Sequence, residues 1–168
     1  EKVKIKPILL GGGQQRGMRS GTENVPGIAG LGVAAREAYR DFDEKIARIT
    51  DLKDYLIDSL SSLEGVTINS QKGSAGAPQI VSASFAGVRS EVLLHALEDK
   101  GIYVSSGSAC SSNHPAISGT LRAIGVKNEL LDSTLRFSFG LFNTREEIDY
   151  CVRILGETLP VLRRYTRG

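Results

Sequence analysis

Two cysteines with opposite surroundings are the first candidates for chemistry in this sequence. Cys110 lies in a run of glycine and serine, whereas Cys151 lies between Ile148 and Val152 in a helical pattern. A thiol in a small polar loop is free to react, but a thiol on the apolar stripe of a helix fills space in a core. Cys110 is therefore the candidate nucleophile and Cys151 a core residue, and both are expected as free thiols.

Zinc binding and Cys–His hydrolysis are two alternative roles for Cys110, and each lacks part of what it needs in the sequence. His114 is four positions away, but one Cys and one His form an incomplete zinc site. A Cys–His hydrolase pair would need an orienting group and an oxyanion hole, and the sequence localises neither. His95, beside Leu94 in a helical pattern, is expected to be a solvated surface residue.

Arginines mark two further candidate sites. A glycine-rich loop at residues 11–22 carries Arg16, Arg19 and the hydroxyl of Thr22, and successive backbone N–H groups with guanidinium donors suit a phosphate or a carboxylate. A flexible connector is the alternative. In the segment 134–139 apolar and polar residues alternate strictly, so Arg136 is predicted on the sheet face opposite the core.

Hydrophobic periodicity and capping signals predict the strands and helices that carry these residues. Predicted strands are residues 3–10, 66–68, 79–85, 102–104 and 134–139. Five helices are predicted. The first begins at residues 22–26, with caps at Thr22 and Asn24, and the second runs from Asp43 to near Gly65. The third runs from a Ser90 cap through Glu98, the fourth covers residues 121–124, and the fifth starts at a Thr144–Glu147 capping box. Alternating strands and helices predict an α/β or α+β fold, with a sheet covered by helices.

Composition excludes several classes of function. The 168 residues are 40% hydrophobic and 24% charged, with a formal net charge of +2, which is typical of a globular chain and too weakly basic to predict a nucleic-acid partner. No apolar run approaches the ~20 residues of a membrane span, and residues 1–6 do not have the hydrophobic core of a signal peptide. A cytoplasmic protein without a membrane or nucleic-acid partner is expected.

Three motifs, in order, resemble the NifS/IscS-type cysteine desulfurases of the class V aminotransferase group, which are fold type I pyridoxal-phosphate enzymes. They are the loop from Gly11 to Thr22, the run from Ser105 to Ser112 followed by Leu121 to Gly125, and the segment from Leu135 to Gly140. The span from Cys110 to Leu121 resembles the group with a long cysteine loop.

The resemblance implies a reaction and a role for three residues. The loop thiolate attacks the sulfur of pyridoxal-phosphate-bound L-cysteine, so that alanine leaves and a persulfide remains on Cys110. Arg136 would bind the substrate carboxylate, and Thr22 would reach the cofactor phosphate of the neighbouring subunit in a homodimer. A sulfur-acceptor or scaffold protein in iron–sulfur cluster or thionucleoside assembly is the implied partner.

The resemblance also predicts the domain organisation. Residues 1–43 would be the end of the large pyridoxal-phosphate-binding domain, and residues 44–168 the small C-terminal domain of a fold type I enzyme. The family's Schiff-base lysine has no match here, because Lys2, Lys4 and Lys6 do not fit its motif. The isolated chain is therefore expected to be inactive. Two alternatives stay open: a persulfide-relay or binding module, and a selenocysteine lyase or cysteine-sulfinate desulfinase.

Overall fold

A computed structural model describes residues 6–106 and 118–165. These residues fall into two compact units that divide between Phe42 and Asp43. The first unit holds the glycine-rich loop and helix α1, Val25–Tyr39. The second holds the sheet and the remaining helices, with helix α2, Phe42–Ser61, beginning at the division. The predicted division of the chain into parts of two domains stays a prediction.

Helix α1 begins where its capping signal predicts. The Asn24 side chain accepts a hydrogen bond from the Gly27 amide at 3.2 Å, and Pro26 lies in the first turn, where its missing N–H costs nothing. The helix ends at Tyr39 with Arg40 at its C-cap, and Asp41 has a φ of 50°, so α1 and α2 are separate helices. No residue of α1 is buried within the described part of the chain.

The second unit is built on a four-stranded antiparallel sheet. The strands are β1, Val66–Ile68, β2, Ile80–Phe85, β3, Ser105–Ser106, and β4, Thr134–Ser138. Their order across the sheet is β1-β2-β4-β3, so β2 and β4 are central. The helices are α2, α3, Ser90–Glu98, α4, Gly119–Ala123, and α5, Arg145–Tyr165. The predicted fold class, strands covered by helices, is confirmed.

The core lies between one face of this sheet and the apolar stripes of α2, α3 and α5. Val81, Phe85 and Leu135 are fully buried on the sheet side, and Leu60 and Leu155 on the helix side. This matches the predicted alternation along the strands and the predicted helical stripes. Burial of this apolar surface is the main source of stability for the second unit.

The loop between β1 and β2 folds back on α2. The Gly73 amide donates to both carboxylate oxygens of Asp54, at 3.0 and 3.2 Å. Lys53 is fully buried beneath the loop, and its Nζ donates to the Gly73 carbonyl at 3.5 Å. Helical periodicity did not predict this burial, because the covering residues come from a loop about 20 positions later.

Three sequence expectations are corrected. Residues 6–10 form no strand, because no neighbouring strand in the described residues pairs with them. Residues 102–104 are not part of a strand either, and pairing begins only at Ser105. Ser90 is the first residue of α3 and is buried, while the N-cap position falls to Arg89, whose side chain makes no capping bond.

Arg163, one of the basic residues near the end of α5, has a structural role. Its side chain donates to the carbonyls of Ala86 and Glu64, at 3.0 and 2.8 Å. This joins the last turns of the helix to the turns that flank β1 and β2. Among the described residues no helix is both long enough and apolar enough to span a membrane.

Candidate active site

Arg136 lies at the middle of the sheet, on the face away from the core. Its neighbours Leu135 and Phe137 on β4 are buried, whereas Arg136 is exposed. Because β4 pairs with strands on both sides, Arg136 has two partners in register, Ser82 on β2 and Ser105 on β3. Directly opposed residues of antiparallel strands project to the same face. The guanidinium side chain therefore emerges between two serines.

The Arg136 side chain forms neither an ion pair nor a hydrogen bond with any of the described residues. Two carboxylates elsewhere on this unit pair with other arginines, Asp51 with Arg145 at 2.8 Å and Asp132 with Arg89 at 3.1 Å. An exposed guanidinium with five N–H donors can bind a carboxylate through two parallel hydrogen bonds.

The same face carries a layer of hydroxyl groups on β1, β2 and β4. Thr134 Oγ1 donates to the Leu130 carbonyl at 2.7 Å and lies 2.7 Å from Ser84 Oγ. Asn69 Nδ2 donates to Ser84 Oγ at 2.9 Å and, more weakly, to Ser82 Oγ at 3.4 Å. Ser84 and Thr134 are buried. These bonds hold β2 and β4 in the register that sets Ser82 beside Arg136.

Sequence reasoning did not single out Ser82, Ser84 or Asn69. A signal was available, since serine alternates with apolar residues along 80–85, which places both serines on one face of a strand. What the sequence does not contain is the strand pairing. Only the register shows that these serines lie on the same face as Arg136.

Cys110, the predicted nucleophile, and His114 lie outside the described residues. The chain leaves the described structure after Ser106, one residue beyond the register partner of Arg136, and returns at Ser118. Ser118 caps α4 by accepting from the Leu121 amide at 3.3 Å. The strand that leads into the cysteine segment therefore pairs directly with the strand that carries Arg136.

The glycine-rich loop is internally bonded. The Arg19 guanidinium donates to the carbonyls of Gly21 and Thr22, at 3.2 and 2.9 Å. Ser20 Oγ donates to the Gly12 carbonyl at 2.7 Å. Thr22 is exposed and lies two residues before the Asn24 cap of α1. Its hydroxyl, close in sequence to a helix N-terminus, suits the phosphate of a cofactor.

Cys151 is a core residue, as predicted. It is 8% exposed and is a free thiol. Burial raises the pKa of this thiol to about 11, so it is protonated at neutral pH and unsuited to nucleophilic attack. It lines the floor of a cleft of about 570 Å³ with Tyr103, Phe139 and Tyr150. Arg136 does not line this cleft, although the next residues along β4, Phe137 and Ser138, do.

Within residues 6–106 and 118–165 no group of three or more His, Cys, Asp or Glu side chains could hold a metal ion. His95 is 74% exposed and lies 3.1 Å from Glu98 on the same helix. It is a surface residue, as predicted.

The family model described as aminotransferase class-V matches residues 2–151. The chain belongs to this family. Its members are pyridoxal-phosphate enzymes in general. Arg136, Ser82, Thr22 and Cys110 all fall within the matched residues, so each candidate residue belongs to the part of the chain that the family model describes.

Curated relatives in the class-V family are named cysteine desulfurases. The chain is 43% identical over 162 residues to "Cysteine desulfurase, mitochondrial" of Saccharomyces cerevisiae, covering 96% of this chain and 32% of that protein. It is 41% identical to "Cysteine desulfurase IscS" of Klebsiella pneumoniae, covering 39% of that protein. The chain thus spans about a third to two fifths of the length of these relatives.

Solved structures in the family share the fold. A protein titled "NIFS-LIKE PROTEIN" superposes with a TM-score of 0.76 and 34% identity, over 95% of this chain and 40% of that one. A NifS-like protein from Rickettsia africae superposes with a TM-score of 0.72 and 29% identity, over 92% of this chain and 40% of that one.

Proposed function

We propose that this chain is part of a cysteine desulfurase, an enzyme that takes sulfur from L-cysteine and leaves L-alanine and a persulfide on Cys110. The observation that carries the proposal is the position of Arg136. It is an exposed guanidinium on a central strand, and its register partner Ser105 leads into the segment that contains Cys110. The names of the relatives support the same activity.

Arg136 binds the carboxylate of L-cysteine. The strand backbone on both sides is held by cross-strand pairing, so the base of the side chain is fixed while its end is free. A planar guanidinium bound to a carboxylate through two hydrogen bonds orients the amino acid as well as attracting it. The thiol of the substrate is thereby presented in one direction.

Cys110 accepts the sulfur. Its thiolate attacks the substrate Sγ, an S–S bond forms, and the Cβ–S bond breaks. The electron pair stays with the substrate carbon, which takes a proton to give alanine. Cys110 is the fifth residue after Ser105, and five extended residues span at most about 18 Å. The chain length therefore keeps Cys110 within reach of a substrate held at Arg136.

Pyridoxal phosphate, when bound, supplies the electron sink that makes the Cβ–S bond breakable. Of the residues in this chain, Thr22 fits the cofactor phosphate, because it is exposed and close to the N-terminus of α1. In the proposed homodimer Thr22 acts toward the cofactor of the neighbouring subunit. No lysine of the family's Schiff-base motif is present in the chain, so the activity belongs to the longer polypeptide.

The persulfide on Cys110 is the product that a sulfur acceptor or scaffold protein would receive, for iron–sulfur cluster or thionucleoside assembly. A cytoplasmic location stays a prediction, since one of the relatives is named as mitochondrial.

The test uses a longer polypeptide that contains this chain and the cofactor lysine. Incubation with L-cysteine should yield alanine and one added sulfur atom on the peptide that contains Cys110, read by mass spectrometry. Cys110→Ser should abolish both products, and Cys151→Ser should retain them. Persulfide on the Cys151 peptide, or alanine formation that survives Cys110→Ser, would overturn the proposed role of Cys110.

A further inference from the structure

Ser82 lies on the same sheet face as Arg136 and has no role in the proposed function. It lies directly opposite Arg136 in the β2–β4 pair. Opposed residues in antiparallel strands have Cβ atoms about 4.5–5.5 Å apart. The two side chains therefore leave the sheet side by side, and a carboxylate bound to Arg136 is within reach of the Ser82 hydroxyl when the arginine side chain lies over β2.

The hydrogen bonds around Ser82 decide which way its hydroxyl acts. Asn69 Nδ2 donates to Ser82 Oγ at 3.4 Å, so the oxygen acts there as acceptor. The Ser82 backbone groups are also committed, with the amide donating to Ser70 Oγ at 2.8 Å and the carbonyl accepting from the Asn69 amide at 2.9 Å. The hydroxyl hydrogen is the donor left to Ser82.

Asn69 is itself held in place. The same Nδ2 donates to Ser84 Oγ at 2.9 Å, and Ser84 Oγ lies 2.7 Å from Thr134 Oγ1. Since Thr134 Oγ1 donates to the Leu130 carbonyl, its hydrogen is used and Ser84 must be the donor to Thr134. In this row of hydrogen bonds each donor points to the next residue, from Asn69 through Ser84 and Thr134 to the carbonyl of Leu130. The amide of Asn69 is thus fixed as the group that approaches Ser82.

We propose that Ser82 is a second carboxylate-binding residue, whose hydroxyl donates to the anion that Arg136 binds. The inference rests on the proposed desulfurase function and adds a specificity residue to it. Arg136 supplies charge and the two-bond geometry, while Ser82 supplies a third donor from the neighbouring strand. A ligand without a carboxylate gains nothing from either residue.

The test compares L-alanine, the carboxylate product, with ethylamine, which lacks the carboxylate. Dissociation constants for both are measured by calorimetry on the longer, cofactor-loaded polypeptide, together with KM and kcat for L-cysteine. A hydrogen bond to a charged group contributes enough that Ser82→Ala should weaken L-alanine binding about tenfold. Binding of ethylamine should not change, and the effect on L-cysteine should fall on KM.

Two matched variants protect the test against a folding defect. Ser82→Thr keeps the hydroxyl and Ser82→Val replaces it with a methyl group of similar shape, and both residues suit a strand. The Ser82→Thr variant should bind L-alanine within about twofold of wild type. The Ser82→Val variant should bind L-alanine as weakly as the Ser82→Ala variant does. Ser138→Ala, two residues along β4 from Arg136, is the control from the same face and should bind like wild type.

The outcomes separate the two proposals. If Arg136→Ala weakens L-alanine binding while Ser82→Ala and Ser82→Val do not, the role of Ser82 is wrong and the desulfurase proposal stands. If Arg136→Ala also leaves L-alanine binding unchanged, the carboxylate site itself is wrong. Equal losses for L-alanine and ethylamine in Ser82→Val would show a structural role and would overturn the inference.

Discussion

Ser105 and Arg136 lie directly opposite each other across the β3–β4 pair. One of the two residues leads into the cysteine-bearing segment, and the other carries the guanidinium proposed to bind substrate. Because strand pairing is a rigid connection, the start of that segment and the substrate site belong to one piece of backbone. The proposed nucleophile Cys110 is thus tethered by its chain to a fixed carboxylate site.

The buried hydroxyl pair Ser84–Thr134 should contribute to the stability of this arrangement. Thr134→Val keeps the shape but leaves Ser84 Oγ without its acceptor, and Ser84→Ala leaves Asn69 without its closer acceptor. Each single change should lower the free energy of unfolding by about 1–3 kcal/mol, the cost of an unsatisfied buried polar group. The measurement is urea unfolding followed by circular dichroism.

The double variant Ser84→Ala/Thr134→Val provides the control for that prediction. When both hydroxyls are removed, neither is left without the other as its partner. The double variant should therefore lose less free energy of unfolding than the sum of the losses in the two single variants. Strictly additive costs would show that the two hydroxyls do not interact.

The capping box at the start of α5 should also be measurable. The Thr144 amide donates to Glu147 Oε2 at 3.1 Å, and the Glu147 amide donates to Thr144 Oγ1 at 3.4 Å. Thr144→Ala should therefore destabilise the chain by about 1 kcal/mol, and Thr144→Ser should retain most of that. Thr120→Ala, an exposed threonine inside α4, is the matched control in the same unfolding experiment. An equal loss at Thr120 would contradict a capping effect.

Capping and alternation explain what the sequence could predict. The Asn24 cap, the Thr144–Glu147 box and the alternation along β4 are local patterns, and each is present in the structure. Ser90 shows the limit of such patterns. A serine before a helical stripe suggests a cap, but Ser90 is buried as the first helical residue and Arg89 takes the cap position.

Features that depend on distant partners were not predictable. The strand predicted at residues 3–10 satisfies the alternation rule, yet residues 6–10 do not form one, because a strand needs a neighbour as well as a pattern. Ser82 illustrates the same point within the site. Its place beside Arg136 depends on a pairing between segments more than 50 positions apart, and no local signal encodes that register.

The Cys151 thiol should make stability fall at alkaline pH. Burial raises its pKa to about 11 in the folded chain, whereas a free thiol has a pKa of about 8.5. Above the unfolded value the unfolded chain loses the proton while the folded chain keeps it, so the unfolded state is favoured as pH rises. About 2 kcal/mol is lost between pH 9 and 11.

The measurement compares wild type with Cys151→Ala in urea unfolding at pH 8 and at pH 10.5. Lysine and tyrosine titrate alike in both proteins, so the difference between the two isolates the thiol. The alanine variant is expected to be less stable at pH 8, because it leaves a small cavity, and to lose less stability on going to pH 10.5. Parallel losses in the two proteins would show that the thiol ionises normally.

Arg136 provides the most direct test of the site. In the longer polypeptide with cofactor, Arg136→Ala should raise KM for L-cysteine at least tenfold, since a charge-assisted contact is worth about 1.5–3 kcal/mol. Arg136→Lys should recover only part of this, because an ammonium group cannot reproduce the two parallel hydrogen bonds of a guanidinium. Steady-state alanine production gives both constants.

Arg153→Ala is the control for the Arg136 variants. Arg153 is an exposed arginine in a surface ion pair with Glu157, so its loss should change neither KM nor the fold. The Arg136 side chain is exposed and has no ion pair in the described part of the chain, so Arg136→Ala should leave the urea midpoint within about 0.5 kcal/mol of wild type. If the variant instead unfolds while the surviving fraction keeps its normal KM, Arg136 is a structural residue and the substrate carboxylate is bound elsewhere.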